Sequence, residues 1–207
     1  MFLIFINSYF MKMSKKFWAL VPLALLVLTA CSSSTPAEKT TDTAAETDVK
    51  TTKVEPFVSK EGNFSINFPG KPEVSSDKID GEGDSGLKMT MTSYSYSPDS
   101  DHVFLVAYTD ITAGKFTKEE AKQILKDEQG GALGSFGIKA AEEEKDMDYD
   151  ANSAGLRYKA KGDDGTHLIA QTYYIENRLY QIEMLTMGAY PTDEEVKNFT
   201  ETFKVLK

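Results

Sequence analysis

From Phe64 the chain alternates apolar and polar positions: Phe64, Ile66 and Phe68 are interleaved with Ser65 and Asn67 before Pro69-Gly70-Lys71-Pro72 stops the run. That pattern predicts a half-buried strand closed by a turn. Leu87 to Tyr96 alternates again, whereas His102 to Asp110 is apolar at almost every step, as expected of a central strand covered on both faces. A sheet containing such a strand needs a layer on each side.

Thr117-Lys-Glu-Glu120 has the form of a capping box, so a helix is expected to start there, with Ala121, Ile124 and Leu125 facing the sheet and Gly130-Gly131 ending it. Ile138 to Lys145, Gly155 to Lys161, Thr166 to Ile175 and Arg178 to Met187 then read as four strands, the last three a meander. Gly162-Asp-Asp-Gly165 and Glu176-Asn177 supply its turns, because Gly and Asn tolerate the positive φ of tight hairpins. Thr192-Asp-Glu-Glu195 is a second capping box, opening a closing helix with Val196, Phe199 and Phe203 on one stripe. Strands in hairpin order, with one helix in the middle and one at the end, predict an α+β domain: an antiparallel β-sheet flanked by helices.

The segment before these elements is different. Phe17 to Leu28 is apolar, follows Lys12, Lys15 and Lys16, and ends in Leu28-Thr29-Ala30-Cys31. A basic start, a short apolar stretch and small residues before a cysteine resemble the signal peptide and lipobox of an exported bacterial lipoprotein, with lipid on Cys31. Phe17 to Ala30 is too short for the roughly 20 residues a membrane-spanning helix needs. A plain signal peptide cut after Ala30 would leave a lone reactive thiol at an exported N-terminus. Met1 to Phe10 is apolar ahead of the basic residues, the wrong order for a signal, so translation starting at Met11 or Met13 fits better. Residues 1–30 are thus read as the signal. Residues 31–55 form the lipidated cysteine and a disordered linker of Ser, Thr, Ala, Glu, Asp and Lys, spanning about 27 Å r.m.s.. Residues 56–207 form one domain.

The full chain carries 23 basic and 32 acidic residues, and the signal removes three lysines and no acid. Such a surface repels phosphate backbones and anionic headgroups, which excludes nucleic acid as a partner and leaves membrane attachment to the lipid. With Cys31 lipidated, no disulfide, thiolate nucleophile or Cys-containing metal site remains.

Glu61-Gly-Asn-Phe-Ser-Ile-Asn-Phe-Pro-Gly-Lys-Pro72, the doubly buried strand, the mid-chain helix, the strand with Arg178-Leu-Tyr-Gln-Ile182 and the closing amphipathic helix together resemble the PsbP-like superfamily. That group holds the PsbP subunit of photosystem II, a Ran-binding nuclear import factor and many bacterial lipoproteins. The resemblance covers nearly all of residues 57–207 and implies an α/β/α sandwich used as a binding or assembly module. It has no common functional motif from which site residues could be carried over.

Candidate chemistry is sparse. Asp146, Asp148, Asp150 and Asn152 have the spacing of the start of a calcium loop, but Ala151 stands where the sharp turn needs Gly and Arg157 where the bidentate Glu belongs. A solvated acidic loop is the expectation, with a weak calcium site as the alternative. Gly131, Gly134 and Gly137 follow a helix instead of preceding one, which excludes a phosphate loop. His102 and His167, the only histidines, open predicted strands without a second metal ligand at helical spacing. No nucleophile elbow accompanies them. Adjacent Tyr173 and Tyr174 must point to opposite sides of their strand, so tyrosines packed under helices with the hydroxyl at the rim are the expectation, and Tyr94, Tyr96, Tyr173 and Tyr174 as a binding face the alternative.

The expectation is therefore a lipid-anchored, extracytoplasmic protein of the bacterial cell envelope. Its single domain binds a protein or small molecule without catalysis and without a cofactor. Ser32 after the cysteine resembles an outer-membrane sorting signal if the envelope is Gram-negative. The alternatives are an envelope hydrolase or other enzyme using His102 or His167 with dispersed carboxylates, and a purely structural envelope module.

Overall fold

The computed structural model describes residues 55–80, 88–111 and 115–206. The signal segment, Cys31, the linker before Glu55 and Leu87 lie outside the described residues. The fold is α+β. Its strands are β1 Phe57–Ser59, β2 Phe64–Ile66, β3 Glu73–Asp80, β4 Lys88–Tyr96, β5 His102–Asp110, β6 Ala141–Met147, β7 Ala154–Lys161, β8 Thr166–Ile175, β9 Arg178–Met187 and β10 Lys204–Val205. Helix α1, Lys118–Ser135, follows β5, and α2, Asp193–Phe199, follows β9 and runs into a 3-10 turn at Thr200–Thr202.

Seven strands form an antiparallel sheet in the order β3-β4-β5-β9-β8-β7-β6, and β1-β2-β10 make a small separate sheet. The meander of β7, β8 and β9 is as expected, and its last turn is a two-residue hairpin with Glu176 and Asn177 at φ 50° and 66°. Both turn residues are left-handed, which matches the twist of the flanking strands. β5 lies inside the sheet and is buried along both faces from Phe104 to Thr109.

On one face α1 covers β7 and β8, burying Ala121, Leu125 and Leu133 against Leu156, Tyr158 and Leu168. The expected capping box is present: the Glu120 N–H donates to the Thr117 hydroxyl while the Glu120 carboxylate accepts from the Thr117 N–H. The helix does not stop at Gly130-Gly131. Gly131, Ala132 and Leu133 are buried, and that packing outweighs the low helical propensity of two glycines, about 1 kcal/mol each. It ends instead at Gly137 (φ 68°), where the Ile138 N–H reaches Leu133 O and the Gly137 N–H reaches Gly134 O. Ile138 folds back onto Leu133 to complete this glycine cap. β6 consequently begins at Ala141, three residues later than the pattern suggested.

The other face is covered by the small sheet and α2, through a core of Phe64, Phe68, Tyr94, Phe104, Tyr173, Tyr180, Phe199 and Phe203. The strand expected at Phe64 thus belongs to this covering layer and not to the main sheet. Phe203 follows the 3-10 turn in extended backbone, beyond the helix that the i, i+3, i+7 spacing predicted, and stacks on Tyr173 with ring centroids 5.8 Å apart. A buried chain of hydrogen bonds also pins α2: Tyr173 donates to Gln171, Gln171 to Thr200, and Thr200 to Val196 O.

Phe199 is 1% exposed and touches Phe68 and Phe104 with centroids 5.2 Å away in each case. Phe199→Ala is therefore expected to destabilise the protein by about 3 to 5 kcal/mol in a urea titration. A loss under about 1 kcal/mol would mean that α2 is not packed on the sheet.

Candidate functional site

A cleft of about 960 Å³ opens where α2 and the small sheet leave the start of β5 uncovered. Its apolar floor is Phe68, Phe104 and Phe199, whose edge-on and tilted contacts are the arrangements that aromatic quadrupoles favour. Each ring comes from a different segment. Phe68 ends the run after β2, Phe104 is the third residue of β5, and Phe199 ends α2, the third position on the helix after Val196.

The rim is polar. His102 Nδ1 contacts Asp99 at 2.8 and 3.0 Å across the tight approach to β5. The hydrogen bond from that ring, and then the Asp101 N–H, hold the Asp99 carboxyl below its ordinary range. Glu195 is also committed: the Thr192 hydroxyl and N–H donate to it and lower its pKa. Asn67 donates its N–H to the Thr202 hydroxyl, which itself donates to Phe199 O at 2.7 Å. Glu201 and Lys204 line the cleft and have no ion-pair partner among the described residues. The rim thus presents one uncommitted carboxylate, one ammonium and the Asn198 amide above an apolar floor.

A cleft that holds a histidine and carboxylates is the setting a hydrolase asks for. The remaining parts are not assembled. His102 is bonded to Asp99 and to no hydroxyl among the described residues, and the Thr202 hydroxyl is engaged with the backbone. His167, the other candidate, is the second residue of β8, across Thr186 of β9 from His102; it does not line the cleft and is 4% exposed, edge-on to Tyr190 at 4.5 Å. The two histidines therefore do not share a site: His102 joins the cleft and His167 is packed.

The candidate tyrosine face is not formed. Tyr94 is buried and shares a hydrogen bond with Ser59 at 2.8 Å. Tyr173 is in the core beside Phe203, where burial pushes its hydroxyl up to about 12. Tyr174 is buried on the opposite side and donates to Asn177. Only Tyr96 is half-exposed, resting against Phe104. Paired tyrosines do point to opposite faces, but both faces are covered, which removes them from solvent.

The acidic series also has another role. Lys118, Lys122 and Lys126, one turn apart on α1, pair with Asp148, Asp146 and Glu144 at 2.7, 3.3 and 2.8 Å. Helical i, i+4 spacing meets alternate residues along β6 and the loop after it, and Asp146 raises the pKa of Lys122 through its hydrogen bond. Asp150 accepts from the Asn152 N–H within its own turn. Among the described residues no group of three or more His, Cys, Asp or Glu side chains converges as a metal site.

Sequence reasoning missed Phe68, Phe104, Asn198 and Glu201 as one site. The available signal was that Asn198 and Glu201, three apart, fall off the buried stripe of Val196 and Phe199.

No protein-family model matches the chain, and no curated protein sequence matches it. Among solved structures the chain is similar to the solution structure of cyanobacterial PsbP (CyanoP) from Synechocystis sp. PCC 6803. The identity is 16%, the TM-score 0.45, and the match covers 73% of this chain and 91% of that one.

Because lysines occupy Asp146 and Asp148, millimolar calcium is expected to leave the melting temperature unchanged. A rise of several degrees that a chelator reverses would show that the carboxylates leave their lysines for a metal.

Proposed function

We propose that this protein is a non-catalytic binding module of the bacterial cell envelope, exported and held to the membrane by lipid on Cys31. Its ligand seat is the cleft beside α2. The observation that carries the binding reading is the cleft itself: about 960 Å³ of concave surface with three phenylalanines as floor and a few polar groups at the rim. That combination of size and lining is the ordinary form of a small-ligand or side-chain site. Asp99 and Glu195 are held by hydrogen bonds from His102 and Thr192, so they support the walls. Glu201 and the overall acidic charge favour an apolar ligand that carries a positive group.

The export and anchoring reading rests on Lys12, Lys15, Lys16, the apolar run from Phe17 and Leu28-Thr-Ala-Cys31. A purely structural role is disfavoured by a cleft whose floor would be more stable if filled.

Two experiments test this reading. In an NMR titration, 4-phenylbutylamine is expected to bind saturably and 4-phenylbutyrate at least tenfold more weakly. Asn198→Trp, an exposed residue whose enlargement fills the cleft, is expected to weaken the amine at least tenfold without changing the melt. Equal binding of both probes, or no effect of the tryptophan, would contradict the cleft assignment. For the anchor, Cys31→Ser is expected to move the protein from the membrane to the soluble fraction. Retention of the variant on membranes washed with high salt would contradict lipid attachment.

A further inference from the structure

The sheet face beneath α1 buries polar groups that the cleft does not use. Glu128, in the middle of α1, is 2% exposed, Glu183 of β9 is 0% exposed and Tyr158 of β7 is 1% exposed. Register brings the strand residues into line: Leu105, Glu183, Ala170 and Tyr158 are successive partners across β5, β9, β8 and β7. Only the methyl of Ala170 separates the tyrosine from the glutamate along that row. Glu128 descends on the same place from the helix, where Gln181, two residues from Glu183 on the same face of β9, donates to its Oε1 at 2.6 Å. That single bond serves the group. Oε2 of Glu128, both carboxyl oxygens of Glu183 and the Tyr158 hydroxyl have no hydrogen-bond partner among the described residues.

Two ionised carboxylates are not tenable there. A buried carboxylate stays charged only beside a cation or several donors. On the surrounding elements, β7 contributes Tyr158 as its titratable group, and the residues of β5 and β8 on this face, Leu105 and Ala170 nearest, are neutral. From β4 the same face carries Met91 and Ser93. The α1 lysines that flank Glu128, Lys122 and Lys126, point away to Asp146 and Glu144. No cation faces either glutamate among the described residues.

We propose that α1 is fastened to the sheet by a proton-dependent latch: Glu128 and Glu183 are neutral acids while the helix is docked, and losing their protons drives the helix off. Burial, first of all, pushes Glu128 up to about 7, with the Gln181 hydrogen bond pulling the other way. Burial also pushes Glu183 up to about 8, and the Glu128 charge adds to the rise. The two titrate as a pair. Burial and both glutamates hold the Tyr158 hydroxyl protonated well beyond this range, so it stays neutral while the pair titrates.

The docked helix binds these protons more tightly than the free one. Its stability from the pair is complete below about pH 4.5, falls through neutrality and is gone above about pH 8. Surface carboxylates such as Asp99, Glu120 and Glu144 have lowered pKa values and act with the opposite sign, at acid pH only. The alkaline arm therefore belongs to the pair.

The test is hydrogen exchange of the full chain at pH 6 and pH 9, read by mass spectrometry and corrected for the intrinsic pH dependence of exchange. Peptides covering 118–135 are expected to lose protection by on the order of a thousandfold at pH 9, since each carboxyl contributes up to tenfold per pH unit between its ordinary and its raised pKa, about one unit above pH 6 for Glu128 and two for Glu183. The E128Q/E183Q double variant is expected to lose that dependence. Unchanged protection of α1 in the unmodified protein, or full pH dependence in the double variant, would overturn the latch. Should the variant fail to fold, infrared spectroscopy of the unmodified protein decides. A protonated-carboxyl band at pH 6 that vanishes by pH 9 supports the proposal, and its absence at pH 6 overturns it.

Discussion

The pairing of β5 with β9 is the contact on which the rest of the structure depends. It joins two meanders, β3-β4-β5 and β6-β7-β8-β9, that are far apart in sequence, and it runs without a break from His102–Thr186 to Asp110–Arg178. At its end Arg178 grips both oxygens of Asp110 at 2.6 and 2.9 Å, lies over the Tyr108 ring and donates to Glu61 O. A forked guanidinium of this kind fixes orientation as well as charge. Once β5 and β9 meet, both become interior strands with apolar residues on two faces, and both faces must be covered. The first is covered by the long crossover that contains α1; the second is left to the segments that flank the sheet in sequence.

Those flanking segments explain why the cleft lies where it does. β1 and β2 come before the sheet and β10 after it, and Asn63 zips them together by accepting from the Leu206 N–H and donating to Leu206 O. Tyr180 donates to Gly62 O and holds this layer over β9. Three strands of two or three residues cannot span the whole face. α2 fills part of the remainder, and the uncovered part at the start of β5 is floored by whichever rings lie below. The cleft is in this sense the gap between two partial covers, which is why its residues come from four separate segments. α1 lies along β7 and β8 as one continuous helix, but it carries Glu128 into the core. The two faces thus solve the same burial problem with different chemistry.

Much of the sheet was legible in the sequence because period-two alternation and near-continuous apolar runs report burial directly. The two capping boxes and the Glu176-Asn177 turn were legible for a local reason: each is satisfied by atoms within four residues. β3 was not, since Val74-Ser-Ser-Asp-Lys-Ile-Asp80 is mostly polar along an edge, and β1 and β10 are too short to show a period. The passage of α1 through Gly130-Gly131 depends on what the helix packs against, which local propensity does not carry. Which tyrosines pack and which line a surface was not legible, because composition counts aromatic residues without saying which faces are covered. The cleft and the Glu128–Glu183 pair are both made by long-range register, and no spacing along the chain announces either one.

The most direct measurement is of intermolecular nuclear Overhauser effects between bound 4-phenylbutylamine and the aromatic rings of the protein. The cleft assignment predicts contacts from the probe to Phe68, Phe104 and Phe199, with Tyr158 and Tyr174 beneath α1 silent. Contacts confined to the α1 side, or spread over rings on both faces, would contradict it.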